Sequence, residues 1–239
     1  GRTAPFEIAG DRQEVGGALE KVGFPAILKT IRMGYDGKGQ VRVNDPADIS
    51  EAWHQLGRNA VIAERMIQFD TEFSVILVRS GNGEIRSWDC PRNRHEGGIL
   101  ARSSLPAGPL IESQCAEART LAAAIADELE YVGVLTCEFF ATADGPIFNE
   151  MAPRVHNSGH WTIEGAVTSQ FENHIRAVCE LPLGATATVY DRVEMDNLIG
   201  EDSANWRALF DDDDAHVHLY GKGSPKPGRK MGHVTRLYR

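Results

Sequence analysis

The chain lacks several features that would assign it to a well-defined class. It has no apolar run of the roughly 20 residues that a membrane-spanning helix needs, and no charged-then-apolar signal segment opens it. Its four cysteines show no metal-ligand spacing and lie in mostly apolar surroundings, as reduced thiols of a cytoplasmic protein do. The chain starts at Gly1 and not at methionine, which indicates a fragment or a processed product. We therefore expect cytoplasmic localisation and no membrane partner.

Positive charge is scarce over most of the chain, since 34 acidic residues face 25 basic ones and the formal net charge is −9. An acidic surface argues against nucleic acid as a partner. Residues 219–239 are the exception, because they contain no acidic residue and carry Lys222, Lys226, Arg229, Lys230, Arg236 and Arg239. This segment is either a solvated tail or, given its prolines and glycines, a shaped loop that binds an anion, and we favour the loop.

Two common phosphate-binding motifs are also missing. The glycine-rich segment at residues 34–40 is not a Walker A loop, because Lys38 precedes Gly39 and Gln40 takes the place of the expected Ser or Thr. Nor does it complete a dinucleotide-binding fingerprint. Its glycines still allow backbone N–H groups to approach an anion closely, and Lys29 and Lys38 add positive charge. Taken alone, the segment is either a phosphate-binding loop or a plain hairpin turn.

Local patterns predict helices and short strands in a mixed order, which is typical of an α+β protein and not of alternating βαβ units. Asp11 and Glu14 form a capping-box signature, and Gly23 ends the helix that follows. Further helices are predicted after Asp45-Pro46 and over residues 113–130 and 170–179. Strands are predicted over residues 25–30, 40–43, 61–64, 72–79, 84–90 and 216–220, with a hairpin around Asp144-Gly145.

Two carboxylates, Glu138 and Glu150, flank the predicted hairpin turn within runs of aromatic and aliphatic residues, where an unpaired charge is costly. If Asp144 is the centre of an odd-numbered turn, the two glutamates lie opposite each other with Cβ atoms about 5 Å apart, and they can share a divalent ion. If the turn has only the two residues Asp144-Gly145, they lie on opposite faces and are simply solvated. The residues alone leave both registers open.

In combination, the lysine-bearing strand, the glycine-rich loop and the Glu…Asn-Glu pair resemble the ATP-grasp enzymes. Three segments are similar to those of one member family, the ATP-dependent carboxyaminoimidazole ribonucleotide synthetases, over a likeness that extends from about Phe6 to Tyr238. The segments are Gly-Tyr-Asp-Gly-Lys-Gly-Gln at residues 34–40, Ala-Pro-Arg-Val-His-Asn-Ser-Gly-His-Trp at 152–161 and Pro-Gly-Arg-Lys-Met-Gly-His at 227–233.

The resemblance implies an α+β fold, an ATP-grasp domain with two α+β lobes followed by a small β-rich C-terminal domain. The small lobe, with the glycine-rich loop, would be residues 1–68. The large lobe, with the hairpin, would be residues 69–183, and the C-terminal domain residues 184–239. Under this resemblance the odd-numbered turn is favoured, so that Glu138 and Glu150 bind Mg²⁺.

The resemblance also implies roles for individual residues. Contacts to ATP would come from Lys29, Tyr35, Gly37, Lys38, Gly39, Gln40, Glu64 at the adenine hinge, Glu72 at the ribose, His95 and Asn149. Contacts to bicarbonate and the ribonucleotide would come from Tyr35, Asp36, Lys38, Arg154, His156, Asn157, Arg229 and Lys230. The residues closest to the chemistry would be Asp36, Arg154, His156 and Lys230.

The implied activity is that of a carbon–nitrogen ligase of de novo purine biosynthesis. With ATP, Mg²⁺ and bicarbonate, a homodimeric enzyme of this kind carboxylates aminoimidazole ribonucleotide through carboxyphosphate. Family members ordinarily begin with a Rossmann-like domain that is absent here, so a non-catalytic nucleotide-binding module is an alternative. Formate-dependent glycinamide ribonucleotide transformylase and biotin carboxylase share the phosphate chemistry. The Gly-Tyr-Asp-Gly loop argues against the transformylase, and the shortness of the glycine-rich loop argues against the carboxylase.

Overall fold

The structure is a computed structural model that describes residues 1–32 and 39–239. The chain divides into two compact units. The first unit comprises Arg2–Gln68, and the second comprises Phe69–Arg239 together with Gly1. The division into three parts expected from the sequence stays a prediction.

The first unit is a small antiparallel sheet covered by two helices. Its elements are β1 (Phe6–Ala9), α1 (Arg12–Val22), β2 (Ala26–Thr30), β3 (Gln40–Val43), a 3₁₀ turn (Pro46–Asp48), α2 (Ile49–Gln55) and β4 (Val61–Arg65). In its described part the strand order is β1-β4-β2-β3, with every neighbouring pair antiparallel. Leu19 of α1, Leu28 of β2 and Trp53 of α2 belong to one buried cluster. This core gives β2 a rigid support at the edge of the glycine-rich segment.

The start of α1 confirms the predicted capping signature. The Asp11 side chain accepts hydrogen bonds from the backbone N–H groups of Gln13 and Glu14, and the Glu14 carboxylate accepts one from Gly10 N–H. These bonds satisfy donors that the first turn of a helix leaves without partners. Gly23 ends the helix with a positive φ of 81°, which glycine adopts at little cost.

The second unit is built on one large antiparallel sheet. Its elements are β5 (Thr71–Arg79), β6 (Ile85–Ser87), β7 (Arg92–Glu96), β8 (Ile99–Leu105), α3 (Pro109–Glu128), β9 (Gly133–Thr142), β10 (Gly145–Ala152), α4 (Thr162–Gly165), α5 (Gln170–Val178), β11 (Arg192–Ile199), β12 (Ala215–Leu219) and β13 (Lys230–Tyr238), with 3₁₀ turns at Asn157–Gly159 and Gly200–Asp211. In the described part the order is β10-β9-β5-β7-β8-β11-β13-β12, and β6 also pairs with β5. The strands of residues 184–239 thus continue the sheet of the second unit.

The long helix α3 covers one face of this sheet and determines which β9 side chains are buried beneath it. Ala118, Ala122 and Ala126 recur every fourth residue on one side of α3 and are fully buried. They share a cluster with alternate residues of β9, among them Cys137 and Phe139. Because strand side chains alternate, the residues between them point to the opposite face, and Glu138 is one of these.

Several predicted boundaries were wrong because of local features that the sequence pattern does not reveal. Helix α3 begins at Pro109 and not at 113, since Gly108, with a φ of 93°, ends the preceding loop. The segment 84–90 contributes only three strand residues, and the hairpin of β7 and β8 was not predicted at all. In the described residues, none of the helices has the length and apolarity that crossing a membrane would take.

Candidate active site

The two hairpin carboxylates face each other. Glu138 of β9 is directly opposite Glu150 of β10 in the antiparallel register, which confirms the predicted pairing. Glu138 is largely buried, with 13% of its side chain exposed, whereas Glu150 is exposed. Burial and then the nearby charge of Glu150 raise the pKa of Glu138 to about 7. Glu138 is therefore a largely buried carboxylate, and the residue opposite it, Glu150, adds negative charge and does not compensate the charge of Glu138.

The expected odd-numbered turn is wrong, and a β-bulge produces the pairing instead. Thr142 pairs with Gly145, so the turn has only the two residues 143–144. The register then shifts at Asn149, between Phe148 and the following glutamate. Phe148 faces Phe139 on the apolar side beneath α3, and a regular strand would place its second neighbour on that same side. The extra residue at the bulge turns Glu150 to the opposite side, where Glu138 lies.

The donor chemistry of this pair fits a hard divalent cation. Two carboxylates that repel each other, one of them in a poorly solvated position, are stabilised in their charged forms by a cation held between them. Within residues 1–32 and 39–239, no group of three or more His, Cys, Asp or Glu side chains is placed to hold a metal ion. An ion bound here would need its remaining ligands from phosphate oxygens or water, as Mg²⁺ in nucleotide sites commonly does.

His156 contacts the buried carboxylate. Its Nε2 atom lies 3.1 Å from Glu138 Oε1, and its Nδ1 atom accepts a hydrogen bond from Ser158 N–H at 3.3 Å and lies 2.8 Å from Ser158 Oγ. Burial, followed by the charge of Arg154, lowers the pKa of His156 to about 3. The neutral ring with its proton on Nε2 fits both contacts, because Nδ1 is the acceptor. His156 therefore donates to Glu138, and both of its ring nitrogens already have protein partners.

A buried amide, Gln170, holds the loop that carries His156. Its Oε1 accepts from His156 N–H at 2.9 Å, and its Nε2 donates to the His156 carbonyl at 2.7 Å and contacts His160 Nδ1 at 3.0 Å. A Cβ atom at Gly159 would lie 2.6 Å from Gln170 Oε1, so this close approach requires glycine. Gln170 begins helix α5 and is fully buried. It thereby fixes the backbone of the loop against the helix.

The other predicted residues of this loop are placed differently. Arg154 is exposed, and its guanidinium donates to the Val155 carbonyl at 2.9 Å. Asn157 is half-buried and forms a reciprocal amide pair with Asn197 of β11, at 2.9 and 2.5 Å. The cationic group thus lies at the surface of the loop, while the amide is anchored to the sheet.

Glu72 of β5 and His95 of β7 form an ion pair beside the hairpin. Burial lowers the pKa of His95, but the hydrogen bond and charge of Glu72 outweigh burial, so that the pKa is raised overall. The charges of Glu138 and Lys230 also act on the imidazole, the first raising and the second lowering its pKa. The structure therefore brings four predicted site residues into one neighbourhood: Glu72, His95, Glu138 and Lys230.

The basic C-terminal segment forms a closed loop and not a free tail. Lys222 Nζ donates to the Lys230 carbonyl at 2.8 Å, and Arg229 N–H donates to the Lys226 carbonyl at 3.0 Å. Gly228 supports the turn with a φ of 72°. The segment is thus a shaped loop, as favoured from the sequence, and not a solvated tail. Anion binding by Arg229 and Lys230 stays a prediction.

In the first unit, Lys29 Nζ lies 2.7 Å from Glu64 Oε2, between the neighbouring strands β2 and β4. The Gly39 carbonyl accepts a hydrogen bond from Thr30 N–H at 2.8 Å, and Gly39 has a positive φ of 76°. The next residue, Gln40, begins β3. The predicted roles of these residues toward ATP stay predictions. Four further predicted residues lie outside the described part of the chain: Tyr35, Asp36, Gly37 and Lys38.

The sequence did not indicate several residues that organise the site. These are Ser158, Gln170, Asn197, Tyr220 and His233. They act through hydrogen bonds between residues far apart in the sequence, and the bond from Asn197 to the Leu100 carbonyl spans 97 residues. Ser158 and His233 belong to segments that the resemblance had singled out, but no role was assigned to them. For Asn197, the available signal was a polar residue among the buried apolar residues of a strand, which must find a buried partner.

Comparison with protein families gives two matches. Residues 2–171 match the model of the ATP-grasp domain, and residues 194–239 match that of the phosphoribosylaminoimidazole carboxylase C-terminal domain. Among curated proteins, the chain is similar to the N5-carboxyaminoimidazole ribonucleotide synthase of Brucella melitensis, with 46% identity over 239 residues. That alignment covers 98% of this chain and 65% of the relative.

Solved structures agree with these matches. The N5-carboxyaminoimidazole ribonucleotide synthetase of Thermus thermophilus superposes with a TM-score of 0.87 at 43% identity, covering 100% of this chain and 63% of that protein. The synthase of Aspergillus clavatus, in complex with ADP and 5-aminoimidazole ribonucleotide, superposes with a TM-score of 0.90 at 31% identity, covering 99% and 64%. The chain thus spans slightly less than two thirds of the length of the proteins it matches.

Proposed function

The chain belongs to the ATP-grasp family. From this premise we propose that the protein catalyses the ATP- and bicarbonate-dependent carboxylation of aminoimidazole ribonucleotide to carboxyaminoimidazole ribonucleotide. The observation that carries the proposal is the pairing of Glu138 with Glu150 beside the loop of Arg154 and His156 and the cation of Lys230. The Aspergillus relative, which binds ADP and 5-aminoimidazole ribonucleotide, supports this choice of substrate.

Each unit contains residues for which the family resemblance implies a contact to ATP. In the first unit, Lys29 would contact the phosphates, and its pairing with Glu64 holds the ammonium group in place at the end of β2. In the second unit, Glu72 would accept hydrogen bonds from the ribose hydroxyls, and its ion pair with His95 fixes the direction of the carboxylate. Asn149, at the bulge, lies in the same hairpin as the proposed metal-binding glutamates.

Glu138 and Glu150 would hold Mg²⁺. When bound, the ion supplies positive charge next to the phosphoryl group that is transferred, which is the main requirement of phosphoryl transfer. The Nε2–H group of His156 donates a hydrogen bond to Glu138 and thereby fixes the direction of one oxygen of that carboxylate. Its neutral state, which burial enforces, leaves the net charge of the carboxylate pair unchanged.

The chemistry needs an activated form of bicarbonate. A bicarbonate oxygen attacks the γ-phosphorus of ATP and displaces ADP, which gives carboxyphosphate. The amine nitrogen of the ribonucleotide then forms a bond to the carboxyl carbon as the bond to phosphate breaks, and the amine loses a proton. The exposed guanidinium of Arg154 and the ammonium group of Lys230 are suited to hold these anions, because each supplies several charge-assisted donors.

The full natural protein allows a direct test. We expect ADP release from Mg-ATP to require both bicarbonate and aminoimidazole ribonucleotide for full rate. Formate with glycinamide ribonucleotide is the matched control and should give no stimulation. Stimulation by that pair, or a rate indifferent to bicarbonate, would reject the proposed reaction. Calorimetry that detects no Mg-ATP binding would reject the nucleotide site itself.

We also propose that the protein is a homodimer, as the family resemblance implies. Sedimentation equilibrium of the full natural protein at micromolar concentration should give twice the monomer mass. A single monomeric species at that concentration would contradict this.

A further inference from the structure

The loop after β10 begins with a tight turn that has a proline at its centre. The Arg154 N–H donates to the Ala152 carbonyl at 2.8 Å, and Pro153 lies between these two residues. The Pro153 carbonyl takes no part in that bond and instead accepts a hydrogen bond from the Tyr131 hydroxyl at 2.7 Å. Because a backbone carbonyl can only accept, the hydroxyl is the donor. Tyr131 thus holds the residue directly before Arg154.

Tyr131 is itself held by its surroundings, just beyond the end of α3. Its N–H donates to the Ala126 carbonyl at 2.9 Å, and its carbonyl accepts from Arg79 Nη1 at 3.2 Å. Arg79 Nε is in turn paired with Asp127 Oδ1 at 2.7 Å. The tyrosine ring packs against the buried cluster beneath α3. The hydroxyl is therefore presented by a residue whose backbone and ring both have partners.

The other end of the same loop segment is held by Gln170. Its side-chain amide accepts from His156 N–H and donates to the His156 carbonyl. Between the two ends, Val155 packs against a buried cluster of the second unit. The Val155 carbonyl accepts the hydrogen bond from Arg154 Nη1 at 2.9 Å. The direction of the guanidinium is thus set by the backbone of a segment that is held at both ends.

We propose that Tyr131 is a positioning residue for Arg154, which acts through the Pro153 carbonyl and holds the guanidinium in the orientation that binds the bicarbonate oxyanion. The inference rests on the proposed function for the anion that Arg154 binds. Ordering an exposed loop when a ligand binds costs conformational entropy, and a loop that is already held avoids much of that cost. The family resemblance assigned no role to Tyr131.

The kinetic test compares Tyr131→Phe with Tyr190→Phe in the full natural protein. The control removes a hydroxyl from a half-buried ring near Arg239, with 5.4 Å between the guanidinium and the ring centroid. We expect Tyr131→Phe to raise KM for bicarbonate about fivefold, as for the loss of one neutral hydrogen bond, with KM for ATP within twofold. Tyr190→Phe should leave both constants unchanged. If KM for bicarbonate does not rise selectively in Tyr131→Phe, the inference is overturned.

Combination with Arg154→Lys shows whether the effect passes through the guanidinium. Lysine keeps the positive charge but lacks the planar group with several fixed donors that arginine offers to the Val155 carbonyl and to a ligand. In the Arg154→Lys protein, Tyr131→Phe should therefore change kcat/KM for bicarbonate by less than twofold. A loss as large as in the parent protein would show that Tyr131 acts independently of Arg154 and would overturn the inference.

Hydrogen exchange of backbone amides provides a measurement that needs no activity. In Tyr131→Phe, the Arg154 amide should exchange about tenfold faster, whereas the His156 amide, which Gln170 holds, should stay within twofold. Unchanged exchange at Arg154, or an equal increase at both amides, would overturn the positioning role. The expected exchange pattern in a protein without bicarbonate-dependent turnover would uphold that role and reject only the proposed reaction.

Discussion

The imidazole of His156 donates from Nε2 to Oε1 of Glu138 across 3.1 Å, and this contact links the loop after β10 to the carboxylate pair of the hairpin. The ring is held from behind by Ser158, which occupies Nδ1. A histidine whose two nitrogens are both occupied has no free donor for bicarbonate without losing one of these bonds. We therefore propose that its main effect on the site is to orient Glu138, whereas the sequence resemblance implies a direct role in substrate binding.

The first prediction concerns this orienting role. His156→Ala should raise the Mg²⁺ concentration needed for half-maximal ATP hydrolysis by roughly 10- to 100-fold, because partners behind metal ligands typically contribute that much. The measurement is ATP hydrolysis against Mg²⁺ concentration at saturating ATP. His54→Ala changes an exposed histidine of α2 and serves as the control. An unshifted Mg²⁺ dependence, with a raised KM for bicarbonate instead, would favour direct substrate binding.

A second prediction concerns the carboxylate pair. Glu150→Gln removes the charge that helps to raise the pKa of Glu138, so that pKa should fall toward its ordinary value. Without metal, the variant should be at least as stable to heat as the parent protein, because the repulsion between like charges is gone. Turnover should nevertheless fall by two orders of magnitude or more, on the order expected when a metal ligand is lost.

Thermal unfolding with and without Mg-ATP, alongside turnover, tests this prediction. Glu117→Gln, at an exposed position of α3, is the matched control and should change neither quantity. If Mg-ATP stabilised the Glu150→Gln protein as much as the parent protein, and at the same Mg-ATP concentrations, Glu150 would not be a ligand of the metal ion.

The buried amide of Gln170 provides a third prediction. Gln170→Ala leaves the backbone N–H and carbonyl of His156 without their partners, which should lower the free energy of unfolding by about 2–4 kcal/mol. Asn173→Ala is a close control, because the Asn173 amide bridges the N–H and carbonyl of Gly184 in the same way. Both variants should lose similar stability in urea unfolding. Only Gln170→Ala should also lower turnover at a temperature where both proteins remain folded, and equal losses of turnover would contradict the role in the site.

The fourth prediction concerns acid. Burial lowers the pKa of His160 to about 4 and that of His233 to about 3, below the value of about 6.5 for an unfolded histidine. The unfolded chain therefore binds more protons between these values, and stability falls as the pH drops from about 6.5 toward 4, by up to about 1.4 kcal/mol per pH unit and group. His156, with its pKa lowered to about 3, acts in the same sense. Glu138, with its pKa raised to about 7, opposes it, because the folded state then binds the extra proton.

His95, whose pKa is also raised, changes its contribution mainly above pH 6.5, so that below this pH three histidines act against Glu138 and we expect a net loss of stability between pH 6.5 and pH 5. Urea unfolding at pH 7, 6 and 5 measures it. His233→Gln removes one titrating group and should flatten the pH dependence, while His54→Gln, at an exposed position, should not. A pH dependence that is the same in both variants would contradict the assignment of acid sensitivity to the buried histidines.

The sequence alone predicted those parts of the protein that depend on a few neighbouring residues. The start and end of α1 followed from Asp11, Glu14 and Gly23, because capping is a contact within one turn. The strand β3 was predicted with its observed bounds, Gln40–Val43. The short motifs were equally local, and they indicated the family that the matches over residues 2–171 and 194–239 then identified.

Only the tertiary structure decided how the two glutamates meet. The sequence favoured an odd-numbered turn, but the turn has two residues, and the pairing arises from the bulge at Asn149. The reason lies beyond the hairpin: Phe148 packs on the apolar side beneath α3, and a regular strand would carry Glu150 into the same apolar layer. Likewise, the partners of Asn157 and His156 come from β11, β9 and α5. Local residue patterns determine elements and motifs, whereas the register of a strand and the direction of a buried polar side chain depend on what the rest of the fold places against them.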